Sequence, residues 1–118
     1  MKEEQVSALL ERLSQLHLEG SSRGGPFLGI AHNDVTREIV TIGKSIIPRL
    51  VTRLGEASYD EAIYIVFMLR ELQAMEAEED VRRLKSEIER RSVGHDLTLS
   101  MQIEYYLRDL EKWSSASR

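Results

Sequence analysis

The stretch Ala62-Ile63-Tyr64-Ile65-Val66-Phe67-Met68-Leu69 carries no charge over eight residues, and it lies within residues 58–75, which contain neither glycine nor proline. Eight residues exceed two helical turns, so apolar side chains cover the full circumference and a helix here must be contacted on several sides. A buried strand has the same local composition. The length of the unbroken segment and its continuation through Leu72 favour the helix. Whatever else the chain forms, it must supply neighbours that enclose this one element.

The flanking patterns supply them. Val6, Leu9, Leu10, Leu13 and Leu16 recur at helical spacing and predict a helix over residues 3–18, stopped by Gly20. Asn33 or Asp34 can cap a second helix whose apolar face is Val35, Ile39 and Ile42, ending at Gly43. Ser45 is the expected cap of a third, with Pro48 in its first turn, where the missing N–H has no intrahelical partner anyway. Ile46, Ile47, Leu50, Val51 and Leu54 line it up to Gly55. Ser58 and Glu61 fit a capping box at the start of the central helix.

A charged fifth helix with a narrow stripe of Val81, Leu84 and Ile88 is expected over residues 77–91. After Ser92-Val93-Gly94-His95-Asp96, either Asp96 or Thr98 can cap a sixth, carrying Leu99, Ile103, Tyr106, Leu107, Leu110 and Trp113. Residues 114–118 read as a frayed tail. The 118 residues fit one domain. Two prolines and 6% aromatic residues suit helices better than a sandwich. The expected fold class is all-α: six helices in three stacked antiparallel hairpins, with one long connection at residues 19–33.

Each hairpin spans about 35 to 45 residues, the period of a helical solenoid. Within the middle of the chain, Asp34-Val35-Thr36-Arg37, then Ile42-Gly43, then Ile47-Pro48-Arg49-Leu50-Val51 through Leu54 resembles the HEAT-repeat pattern, best over residues 34–54 and more weakly to Leu72. In that family an Asp and a Val-Arg pair open the inner helix, a Gly closes it, and an apolar-Pro-x-Leu run opens the next outer helix. The resemblance implies a HEAT-like α-α superhelix that holds another macromolecule, usually a protein, on the surface of its inner helices.

Composition narrows the function classes. A net charge of −4 does not give the general basic field on which non-specific nucleic-acid binding draws. With no cysteine there is no disulfide, zinc ribbon or thiol nucleophile. No apolar stretch approaches the roughly 18 residues of a spanning helix, and the first residues lead into an amphipathic segment with no secretory core, so a cytoplasmic location and no membrane partner are expected.

Four places invite a chemical reading. The connection Leu18-Glu19-Gly20-Ser21-Ser22-Arg23-Gly24-Gly25-Pro26-Phe27-Leu28-Gly29 is rich in glycine, but a phosphate cradle needs a preceding strand and a Lys with Ser or Thr directly after the glycines. Neither is here. It reads as a flexible turn followed by an apolar clip of Phe27, Leu28 and Ile30, with a partner-binding loop as the alternative. His32, His95, Asp96 and Asp109 prompt comparison with the metal-dependent HD phosphohydrolases, whose His-Asp pair lies on a helix with the last Asp far downstream; here the pair follows Gly94 and Asp109 comes 13 residues later. Glu76, Glu78, Glu79 and Asp80 ahead of Arg82, Arg83 and Lys85 complement the helix dipole and allow a Glu78–Arg82 pair on a solvated face. Tyr105, Arg108 and Trp113 on the last helix are residue types favoured as interface anchors, and Tyr105 falls off the apolar stripe.

These readings converge on a non-enzymatic adaptor or inhibitor that binds a protein, with no cofactor, metal or catalytic residue assigned. Arg23 and Phe27 in the loop, Arg37 on the inner helix, and Tyr105, Arg108 and Trp113 at the end are the candidate partner-binding residues. A homo-oligomeric structural protein is the alternative, and an HD-type phosphohydrolase a remote one.

Overall fold

In a computed structural model the chain is all-helical among the described residues, which are 3–15, 34–57, 59–91 and 97–116. Six α-helices follow in order: α1 (Glu3–Ser14), α2 (Asp34–Ile42), α3 (Ile47–Leu54), α4 (Tyr59–Glu71), α5 (Glu78–Arg91) and α6 (Leu97–Ala116). Single 3-10 turns, Lys44–Ile46 and Met75–Ala77, lead into α3 and α5. The uncharged run sits in α4, and every residue from Glu61 to Leu69 is buried. Four helices do this: α4 meets α1, α2, α3 and, most extensively, α6. Consecutive helices also touch as α1 with α2, α3 with α4 and α5 with α6.

Each neighbour gives α4 one apolar face. Val6, Leu9, Leu10 and Leu13 of α1, Val35 and Ile39 of α2, and Leu50 and Leu54 of α3 join the core from one side. Leu99, Ile103, Tyr106 and Leu110 of α6 join it from another, while α5 contributes fully only Val81, with Leu84 and Ile88 partly covered. Each large side chain so buried stabilises the fold by about 1.5–3 kcal/mol before entropy is counted. The Cα radius of gyration, 13.9 Å, is close to the roughly 13.5 Å expected of a compact globule of this length. No helix among the described residues is long and apolar enough to cross a membrane.

Several element ends depart from the expected ones. α3 begins without a side-chain cap, so Ser45 does not play that part. The 3-10 turn does it instead, because the Ile47 N–H donates to the Lys44 carbonyl and Pro48 has no N–H to satisfy. α4 stops at Glu71, short of the expected Met75. Gln73 adopts φ +53°, its N–H donates to the Arg70 carbonyl (3.1 Å), and the Ala74 N–H donates to the Leu69 carbonyl (2.9 Å). That is a Schellman ending with glutamine where glycine is usual, and the buried Leu69 and Ala74 form its apolar pair. At the other end of α4, Glu61 Oε2 accepts a 2.8 Å bond from Arg53 Nε of α3; Ser58, the other half of the expected capping box, lies outside the described residues.

α6 continues through Ser114 and Ser115, where a frayed tail was expected. Trp113 explains the extension: it packs edge-on against the buried Tyr106 ring, centroids 5.6 Å apart, and holds the last turns to the core. The expected Glu78–Arg82 pair forms at 2.7 Å on exposed α5. The connection 19–33, with Arg23, Phe27 and the glycines, lies outside the described residues, as do Leu16, Gly20 and the cap candidate Asp96.

Candidate functional site

α6 is the element that both buries and displays. Its spacing puts Leu99, Ile103, Tyr106 and Leu110 toward α4, and so rotates Tyr105, Arg108, Asp109 and Lys112 onto a neighbouring strip one and two turns apart. Arg70, the first charge after the uncharged run of α4, arrives at the same strip where the two helices cross. Its Nε donates to Asp109 Oδ2 at 2.7 Å. Its guanidinium carbon lies 5.2 Å from the centroid of the Tyr105 ring, and that of Arg108 lies 5.1 Å from it. Two cations therefore share one aromatic ring and one carboxylate.

The carboxylate is unequally divided. Arg70 makes a charge-assisted hydrogen bond, whereas Arg108 Nε stands 3.6 Å from Asp109 Oδ1, an ion-pair distance beyond hydrogen bonding. Asp109 is mostly covered, at 16% side-chain exposure, while Arg108 is 59% exposed. Burial works to raise the Asp109 carboxyl, but the Arg70 hydrogen bond, with the charges of Arg70, Arg108 and Lys112, outweighs it and holds the group below its ordinary range. It is an anion throughout the neutral range.

The sequence candidates separate accordingly. Tyr105 and Arg108 come together in this cluster. Trp113 packs inward against Tyr106 and serves the core. Arg37 is exposed on α2, a helix the cluster does not use. Of the four residues that invited the HD comparison, His32, His95 and Asp96 lie outside the described residues, and Asp109 is engaged by arginine, an arrangement that competes with metal coordination. Arg70 was not among the candidates. Its partner is 39 residues away in sequence, and no periodicity links the two.

A second cationic place lies between α1 and α3. Arg49 pairs with Glu3, one of its terminal nitrogens, Nη1, is buried without a hydrogen-bond partner, and it borders two open clefts of about 500 Å³ each. Glu3, Glu11 and Glu56 also line these clefts, so the charge there is mixed.

No protein-family model, curated protein or solved structure matches the chain.

Proposed function

We propose that this chain is a non-enzymatic protein-binding domain, an adaptor or inhibitor, built as a small HEAT-like array of three helix hairpins. Two features support the array. Consecutive helices are in contact pair by pair, and the α2–α3 and α4–α5 junctions repeat one design about 30 residues apart: a residue with positive φ, a 3-10 turn, then a helix. Within such an array α4 has no surface to offer between Glu61 and Leu69, since all of it is buried. A partner on the inner layer meets α2 or α6.

The observation that carries the binding reading is the partly exposed Tyr105 ring held under Arg70 and Arg108. Tyrosine and arginine are among the side chains that most often dominate interfaces: the tyrosine ring covers much area for two rotatable bonds, and the guanidinium is more weakly hydrated than an ammonium and pairs through a planar fork. Here the ring is already ordered before any partner arrives, which lowers the entropy lost on association.

The test compares the intact chain with a Tyr105→Ser/Arg108→Gln variant as bait in a lysate of the source organism, read by mass spectrometry, with thermal melts run in parallel. A protein retained by the intact chain and lost by a variant of unchanged melt is the expected result. Equal retention by both, or no specific retention by either, overturns the assignment of this face as a binding surface.

A further inference from the structure

Arg70 and Arg108 together carry two positive charges, and Asp109 returns only one negative charge to them. Arg108 makes no hydrogen bond to Asp109, is more than half exposed, and stacks over a ring that orients it. Lys112, one turn beyond Arg108, adds a third cation. On the same helix Glu104 is already bound to Lys85 at 3.0 Å. Glu111, between Arg108 and Lys112, offsets one of these charges, so the local surplus is a single positive charge on a chain whose net charge is negative. A guanidinium presents a planar fork that matches the two oxygens of a carboxylate. Arg70 already holds one carboxylate, through the single Nε–Oδ2 bond to Asp109.

We propose that Arg70, Tyr105 and Arg108 form a seat for a carboxylate, and that the partner of this face is a protein segment rich in aspartate and glutamate. The proposal rests on the reading of the domain as a protein binder and gives that partner its chemistry. Asp109 is the seat's internal occupant: it orders Arg70 and competes with the incoming anion. Arg108 makes the first contact, Tyr105 fixes its direction and provides apolar area, and Arg70 is engaged as Asp109 yields a share of its bond. A nucleic acid suits the site less, because it needs a stripe of cations that follows a phosphate backbone, and α6 alternates Arg108 and Lys112 with Asp109, Glu104 and Glu111.

The probe is an acetylated hexaglutamate peptide titrated into the full-length, isotopically labelled chain at low ionic strength. The arginine Nε–Hε signals report the site, and fluorescence anisotropy of a labelled peptide reports affinity. Saturable shifts of the Arg70 and Arg108 signals are expected, with those of Arg12 and Arg37 unmoved and a hexalysine control leaving the Arg70 and Arg108 signals in place. Arg108→Gln should weaken binding by about fivefold, the size of one exposed pair. Asp109→Asn should tighten it severalfold, by freeing Arg70 from its internal competitor, and a gain of binding is not what a merely damaged fold produces.

Absence of saturable shifts at these two arginines, wild-type affinity in Arg108→Gln, or weaker binding in Asp109→Asn each overturns the seat. A phosphoserine hexapeptide that binds more tightly than hexaglutamate at the same sites overturns the carboxylate assignment in favour of phosphate. The two readings fail separately: a lysate partner lost from Tyr105→Ser/Arg108→Gln while hexaglutamate does not bind leaves a protein-binding face whose partner is not acidic.

Discussion

The α2–α3 and α4–α5 junctions do the same work with different residues. Each turns the chain through a residue of positive φ, runs one 3-10 turn, and enters the next helix with the first N–H bonded back to the turn, Ile47 to Lys44 and Glu78 to Met75. Gly43 has φ +94° and ψ −165°, a region open in practice only to glycine. Gln73 has φ +53°, inside the left-handed well that other residues enter at a cost of about 1–2 kcal/mol. The first junction is a requirement written in the sequence. The second is a preference that its surroundings override, because Leu69 and Ala74 are both fully buried and lock the Schellman ending from either side.

The largest expected effect comes from removing the requirement. Gly43→Ala places a Cβ where no atom lies within 4 Å, so crowding is not at issue and the cost is purely conformational. It should destabilise the domain by about 1–3 kcal/mol, seen as a lower denaturation midpoint with an unchanged denaturant slope. A wild-type midpoint would mean that the two junctions are alike in tolerance as well as in shape.

A smaller effect tests what anchors the second junction. The Tyr106 hydroxyl of α6 donates to the Ala74 carbonyl, which also accepts the Ala77 N–H at 3.1 Å. Tyr106→Phe keeps the ring and its contact with Trp113 and leaves the carbonyl one partner, so the loss should be about 1 kcal/mol. Burial, reinforced by Glu78, Glu76 and Asp80 against the opposing Arg82, pushes the Tyr106 hydroxyl well above its ordinary value of 10.0. Above pH 10 the unfolded chain therefore loses this proton while the folded one keeps it, and stability falls as pH rises. Melts from pH 9 upward should show wild type losing stability faster than Tyr106→Phe. Parallel curves would remove the hydroxyl as the anchor.

What the sequence revealed follows the same division. α4 was legible because eight uncharged residues in a row permit little else, and α2 to α3 because Gly43 and Pro48 each have a steric reason to be where they are. The end of α4 was not, because Gln73 is a good helix former whose left-handed conformation is imposed by packing between elements. Three of the four residues of the candidate site were legible in the same sense: Tyr105, Arg108 and Asp109 share a helical strip by their spacing alone. Arg70 joins them only through the crossing of α4 and α6, and such pairings leave no periodic mark. The three anchor candidates on α6 are alike as residue types, but Trp113 belongs to the apolar stripe of Tyr106 and packs inward, whereas Tyr105 falls off that stripe and stays with Arg108 nearer the surface.

The smallest effect should have the opposite sign to the others. Gln73→Gly removes the Cβ that opposes the left-handed conformation, while adding chain entropy to the unfolded state. Gln73 is exposed, so little packing is lost, and glycine is the residue that this position of a Schellman ending most often holds. The balance should stabilise the domain by about 0.5–1 kcal/mol, a rise of a few degrees in melting temperature for a domain of this size. Gln73→Ala is the control, since alanine keeps the Cβ and gains nothing from the left-handed well. If glycine and alanine melt together, the conformation of residue 73 is not what limits this junction, and its likeness to Gly43 is one of outline only.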